Sequence, residues 1–177
     1  MAAPQPPSPR ADDALRTDER TQLEAFLDDH RDGIARLVDG LTDEQVRRRL
    51  VPSLTTVLGL VKHAAFGERV WFQVALEGRT RAEVGIPEEL DDSFRLAEDD
   101  TVESLVADFR AACEESRAVA ARYTLDDVVP HNWRGPLSVR WMLLHLNREY
   151  ARHLGHGDIL REQLLAENPS GGSEQGR

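Results

Sequence analysis

The sequence predicts an all-α fold, a four-helix bundle with long crossover connections. Three observations lead there. Four segments carry apolar residues at helical spacing, the stretches between them are long and polar, and no alternating strand pattern stands out.

Taken in order, residues 1–17 carry four prolines and little that could be buried, which predicts a disordered arm. The first helix is expected to begin near Asp18 or Thr21, where Thr21 and Glu24 have the spacing of a capping box. Leu23, Phe26, Leu27, Ile34, Leu37 and Val38 form its expected buried face, Gly40 ends it, and His30 falls on the wet side. Thr42 with Gln45 opens a short connecting helix. The second long helix, 54–77, comes after Pro52-Ser53. Its first half is apolar nearly all round, as a central helix should be, and Glu68, Arg69, Trp71 and Phe72 mark a half-exposed end. Residues 78–100 read as an irregular connection, of a length that often lies over a functional mouth. The third helix, 101–122, presents Val102, Leu105, Val106, Phe109 and Cys113 on one stripe, with Cys113 as a small core residue. A connection ending in HNWRGP leads to the last helix, 138–165, capped by Ser138. The bundle is thus expected over 18–165 and a flexible tail over 166–177.

Composition narrows the function. A chain of 177 residues with 40% hydrophobic residues has the material for one core. Its formal charge of -10 argues against a nucleic-acid surface and against a polybasic membrane patch. Mean hydropathy of -0.49 fits a protein dissolved in water. A single cysteine, Cys113, excludes an internal disulfide, and the first residues lack a basic start and an apolar run. A cytoplasmic protein is expected.

The chemistry concentrates in the last helix. Met142, Leu146, Leu160 and Leu164 share a stripe, and Glu149 and His153 lie on it, one turn apart. A carboxylate turned inward needs a partner, and a divalent metal is one. The strongest polar group to face the pair is His63, mid-way along the second helix in line with Leu60, Gly67 and Val70. Two imidazoles and one carboxylate suit zinc, and also nickel, iron or manganese, with positions left open for water or substrate. The alternative is structural: His63 and His153 as satisfied core histidines and Glu149 paired with an arginine such as Arg152. His145 forms a rival pair with Glu149, but lies about 80° around the helix from His153, which makes it a rim group able to orient a ligand. His156, between Gly155 and Gly157, is a supporting donor or a packing residue.

Two stretches, LTTVLGLVKHAAFGERVWF (54–72) and LSVRWMLLHLNREYARHLGHGDILREQL (137–164), resemble the DinB-like (YfiT-like) superfamily of four-helix metal-binding proteins. The opening 17–55 is similar to its actinobacterial branch of mini-circle and mycothiol-dependent S-transferase-like proteins. The resemblance implies a metal triad of one histidine on the second helix and two ligands one turn apart on the last, hence His63, Glu149 and His153. Many members show His-x-x-x-His-Arg-Gly-Gln at the latter. This chain reads Glu149-Tyr-Ala-Arg-His153-Leu-Gly-His156, and the mycothiol-dependent maleylpyruvate isomerases are similar in using a His, Glu, His set. The resemblance also implies a metal-dependent transferase that activates a low-molecular-weight thiol, mycothiol, toward a small-molecule electrophile, in a protein that pairs as a homodimer. Two other classes stay open: a metal-dependent hydrolase using metal-bound water, and a non-enzymatic helical metal-binding or interaction protein.

Overall fold

Each helix of this chain starts on a side chain able to accept from the first free backbone N–H groups. The computed structural model describes residues 10–167. It contains α1 (Glu19–Arg36), a short α2 (Asp43–Arg47), α3 (Val57–Glu68), α4 (Val102–Ala120) and α5 (Val139–Glu167). Asp18 caps α1 by accepting from Thr21 N at 3.1 Å, so Thr21 is the receiver of a cap and not its start. Thr42 and Gln45 form the expected reciprocal box. Thr56, three residues beyond the expected Ser53, caps α3 through Gly59 N at 2.9 Å. Thr101 pairs with Ser104 at the head of α4. Ser138 accepts from Trp141 N at 3.2 Å as α5 begins.

The four long helices make one all-α bundle, with α1 packed chiefly on α5 and α3 on α4. Between α1 and α5, a glycine of each meets a leucine from the other's side of the contact. A Cβ at Gly33 would stand 2.8 Å from Leu154 Cδ2, and one at Gly157 would meet Leu37. Beyond Glu68 the α3 helix widens into a π-helix over Arg69–Leu76, an irregularity frequent near functional sites. Two short strands, β1 (Val128–Val129) and β2 (Leu137–Ser138), pair antiparallel and gather the HNWRGP loop between them. Among the described residues, no helix is long and apolar enough to cross a membrane.

From residue 10 the chain is seated on α1: the turn Ala11–Asp13 sends Ala11 N to Asp29 Oδ2 at 3.1 Å, and Ala14 is buried. The rest of the expected arm, 1–9, and the tail beyond 167 lie outside the described residues.

Two expectations for buried faces need correction. Phe26 is 53% exposed, and the inward position one turn after the buried Leu27 belongs to Arg31, at 5%. Glu68, Trp71 and Phe72, expected half-exposed, are buried, with Glu68 at 0%. The two errors have one cause. Arg31 Nε and Nη2 grip the Glu68 carboxylate at 2.8 and 2.6 Å, and a bidentate pair lets two charged groups enter a core that neither could enter alone. Tyr150 OH of α5 adds a bond to Glu68 Oε1 at 2.7 Å. Arg31 Nη1 also reaches Asp28 Oδ1 at 2.8 Å, and Arg117 Nη2 of α4 meets the same oxygen at 2.9 Å. One polar chain thus joins all four long helices.

Asp28 gives this chain a pH signature. Burial pushes its carboxyl up, but Arg31 and Arg117 pull harder, and the net value lies below the ordinary 3.8. A carboxyl whose pKa is lower folded than unfolded adds stability above the unfolded value and loses it as pH falls through the folded one. Asp28→Asn is therefore expected to lower stability at neutral pH and to leave less to lose as pH falls through and below the ordinary 3.8. Urea midpoints measured across that range test it; parallel acid limbs for native and variant protein would count against the assignment.

Candidate active site

His63 projects from α3 and is held by the connection beyond the π-helix. The turn Asp91–Phe94 lays the Phe94 ring on the imidazole, centroids 3.9 Å apart and planes 12° apart, and puts Ser93 Oγ 2.7 Å from His63 Nδ1. The Ser93 hydroxyl spends its one proton on the Leu90 carbonyl. It must then accept from His63 Nδ1–H, which fixes the tautomer and leaves a lone pair on Nε2. Burial first, and His153 second, depress the His63 pKa to about 3 against the opposing pull of Glu149. At neutral pH His63 is an uncharged donor.

His153, from α5, meets His63 edge to face with ring centroids 4.9 Å apart and an interplanar angle of 74°. Burial also lowers its pKa, against the pull of Glu149. Its Nδ1 is buried and has no hydrogen-bond partner, a costly state for a polar atom. Glu149 Oε1 accepts from Arg148 Nη2 at 3.0 Å and from Arg152 Nη2. Burial raises its pKa, but these arginines hold it below the usual carboxylate value.

The sequence thus brings two imidazoles from different helices together, with the carboxylate of Glu149 turned toward arginine. Among the described residues, no group of three His, Cys, Asp or Glu side chains is gathered to hold a metal ion. In donor type the three residues still fit a divalent cation: two neutral imidazoles, one ionised carboxylate, and a buried ring nitrogen that lacks a partner. Arg148 and Arg152 both bond Glu149 through Oε1.

His145 lies farther out. Arg148 Nη2, which also bonds Glu149, stands 2.9 Å from its Nδ1. Its ring stacks on Trp141 at 5.1 Å and 8°. His156 is exposed, its ring 6.1 Å from that of His153, on the wall of a shallow apolar recess with Val51 and Ile159. Cys113 is buried between α1 and α4, beside Arg31 and Phe109 and outside the histidine pocket; burial pushes its thiol pKa up.

His63, Glu149 and His153 open into a pocket of about 610 Å³. Phe66, Val70 and Trp71 of α3 and its π-helical extension form one wall, and Arg81, Arg134, Arg148 and Arg152 supply its cations. Four arginines on one opening stand out against a net charge of -10. Sequence reasoning missed Ser93, because its role depends on where a loop lands. It also missed Trp133, and Arg134 stood only among arginines, with Arg148 and Arg152, that could hold a carboxylate but that the sequence does not separate from surface arginines.

A family model described as mycothiol-S-transferase matches residues 22–166, from the first turns of α1 to the end of α5. The chain belongs to the mycothiol S-transferase family. This family is a branch of the DinB-like superfamily, which agrees with the resemblance and with the helical bundle. No curated protein matches the chain as a relative. In this family member the buried Cys113, its thiol pKa pushed up by burial, is a poor nucleophile.

Proposed function

We propose that this mycothiol S-transferase family member joins a low-molecular-weight thiol, mycothiol, to a small-molecule electrophile in the His63–His153 pocket. The reading rests chiefly on one observation: two neutral imidazoles from separate helices meet edge to face at the base of an open pocket. His63, Glu149 and His153 would hold a divalent cation, zinc by donor type, with nickel, iron or manganese as alternatives. Such a cation, when bound, lowers the pKa of a coordinated thiol.

The chain's own residues do the rest. Ser93 holds His63 in the tautomer that leaves Nε2 free. Phe66 and Phe94 flank the imidazole and keep water from it. Arg148 and Arg152 keep Glu149 ionised and ready to exchange partners. The same arginine contacts favour the rival structural reading, in which Glu149 is satisfied where it stands, so the test must separate the two. Purified protein is assayed for bound metal, then for consumption of an electrophile with and without mycothiol. Stoichiometric metal and turnover that needs the thiol support transfer. Turnover without thiol would move the assignment to hydrolysis, and neither metal nor turnover would favour the structural reading.

Ser93→Ala supplies a finer check. Losing a group that orients a ligand histidine typically costs ~10–100-fold in metal affinity. The variant is expected in that range, read by competition with a chelator, with its melting temperature little changed. Unaltered affinity would remove Ser93 from the site.

A further inference from the structure

All three tryptophans of the chain, Trp71, Trp133 and Trp141, surround one guanidinium at the outer end of the pocket. Arg134 Cζ lies 4.2 Å from the Trp133 ring centroid and 5.9 Å from those of Trp71 and Trp141. The loop that carries it is tied down: His131 N donates to Ala75 O at 3.1 Å, and Asn132 Oδ1 accepts from Arg134 N at 3.0 Å. Gly135, at φ 92°, completes the bend in a conformation that suits glycine. Arg81, Arg148 and Arg152 donate to carbonyls, His145 or carboxylates. Among the described residues, no acceptor meets the guanidinium of Arg134. Arg134 is exposed, and its guanidinium N–H groups are unspent. Trp133, meanwhile, is 84% exposed, a large apolar area left in water.

We propose that Arg134 with Trp71, Trp133 and Trp141 forms a subsite for a flat, conjugated carboxylate, and that the electrophile enters by this group. The donors of a guanidinium lie in one plane as a fork, and they match the two oxygens of a carboxylate. The indoles beside it accept a planar group and offer little to a puckered one. A cationic ligand is excluded by the four arginines on the same opening. This substrate class rests on the transferase reading above, because that reading makes the neighbouring histidines the reacting end. The subsite itself does not.

Intrinsic fluorescence tests it directly, since every tryptophan reports from this rim. The full chain is titrated with trans-cinnamate, with its methyl ester and with cyclohexanecarboxylate. Cinnamate is expected to change the emission saturably, and the uncharged and the non-planar probes to bind about tenfold more weakly. Arg134→Gln should bind acid and ester alike, whereas Trp133→Leu should lose the preference for the planar acid over the saturated one. His63→Ala should bind cinnamate as the native chain does. Equal affinity of the native chain for acid and ester, or undiminished cinnamate binding by Arg134→Gln, overturns the proposal. The two readings fail separately: acid-selective binding without thiol-dependent turnover rejects the transferase and keeps the subsite, and turnover without acid-selective binding rejects only the subsite.

Discussion

Replacing His63 with alanine is expected to lower kcat/KM for the thiol-dependent reaction by more than ~100-fold, beyond the ~10–100-fold usual for a group that only orients a ligand. His63 is a neutral donor with its Nδ1–H committed to Ser93, and it faces a second neutral donor, His153. Removing it takes away one of two imidazoles that no other residue at the site can replace. Metal content should fall with activity. The same substitution at His145 is expected to cost about tenfold or less, because that ring has no hydrogen bond to Glu149 and stands beside Arg148 at the rim. Activity and elemental analysis on the two variants separate the assignments. A His63→Ala protein with full metal occupancy and full turnover would end the proposal, and a larger loss at His145 would move the donor role there.

Glu68→Gln is expected to be the most destabilising conservative change in the core, by about 3–5 kcal/mol. The Glu68 carboxylate is fully buried, gripped by both nitrogens of Arg31 and bonded by Tyr150 OH. An uncharged amide leaves the Arg31 guanidinium in the core with only Asp28 beside it. At ~2–4 °C per kcal/mol for a domain of this size, the melting temperature should drop by about 10 °C. Replacing both members, Arg31→Met with Glu68→Leu, removes the buried charges together and should recover most of the loss. Denaturant melts of the single and double variants decide it. A single variant within about 1 kcal/mol of the native chain would mean that the pair is far better solvated than its burial indicates.

The two predictions draw on residues that the sequence reveals to different degrees. His63 can be picked out as an imidazole inside a helix apolar nearly all round, and His153 because it falls on the inward line of the last helix; both are local properties. Glu149 shares that line, yet its carboxylate is turned to Arg148 and Arg152, a choice made by side-chain rotation that spacing does not encode. Glu68 and Arg31 look like surface charges in the sequence because each alone is too costly to bury. Only the crossing of α1 and α3 brings them within 2.6 Å, and the same crossing turns Phe26 outward. Ser93 and Arg134 sit in connections with no repeat at all, so their places depend on where 78–100 and the HNWRGP loop come to rest.

By itself, then, the sequence determined the helices, most of their ends, the one-core bundle and the face from which the histidines look inward, since all of these depend on residues within a few turns of one another. The tertiary structure decided which charges pair in the core, which loop fixes the His63 tautomer and what surrounds Arg134. Those contacts join residues as far apart as Trp71 and Trp141, and a pairing of that range has no energy until the packed helices bring its members together.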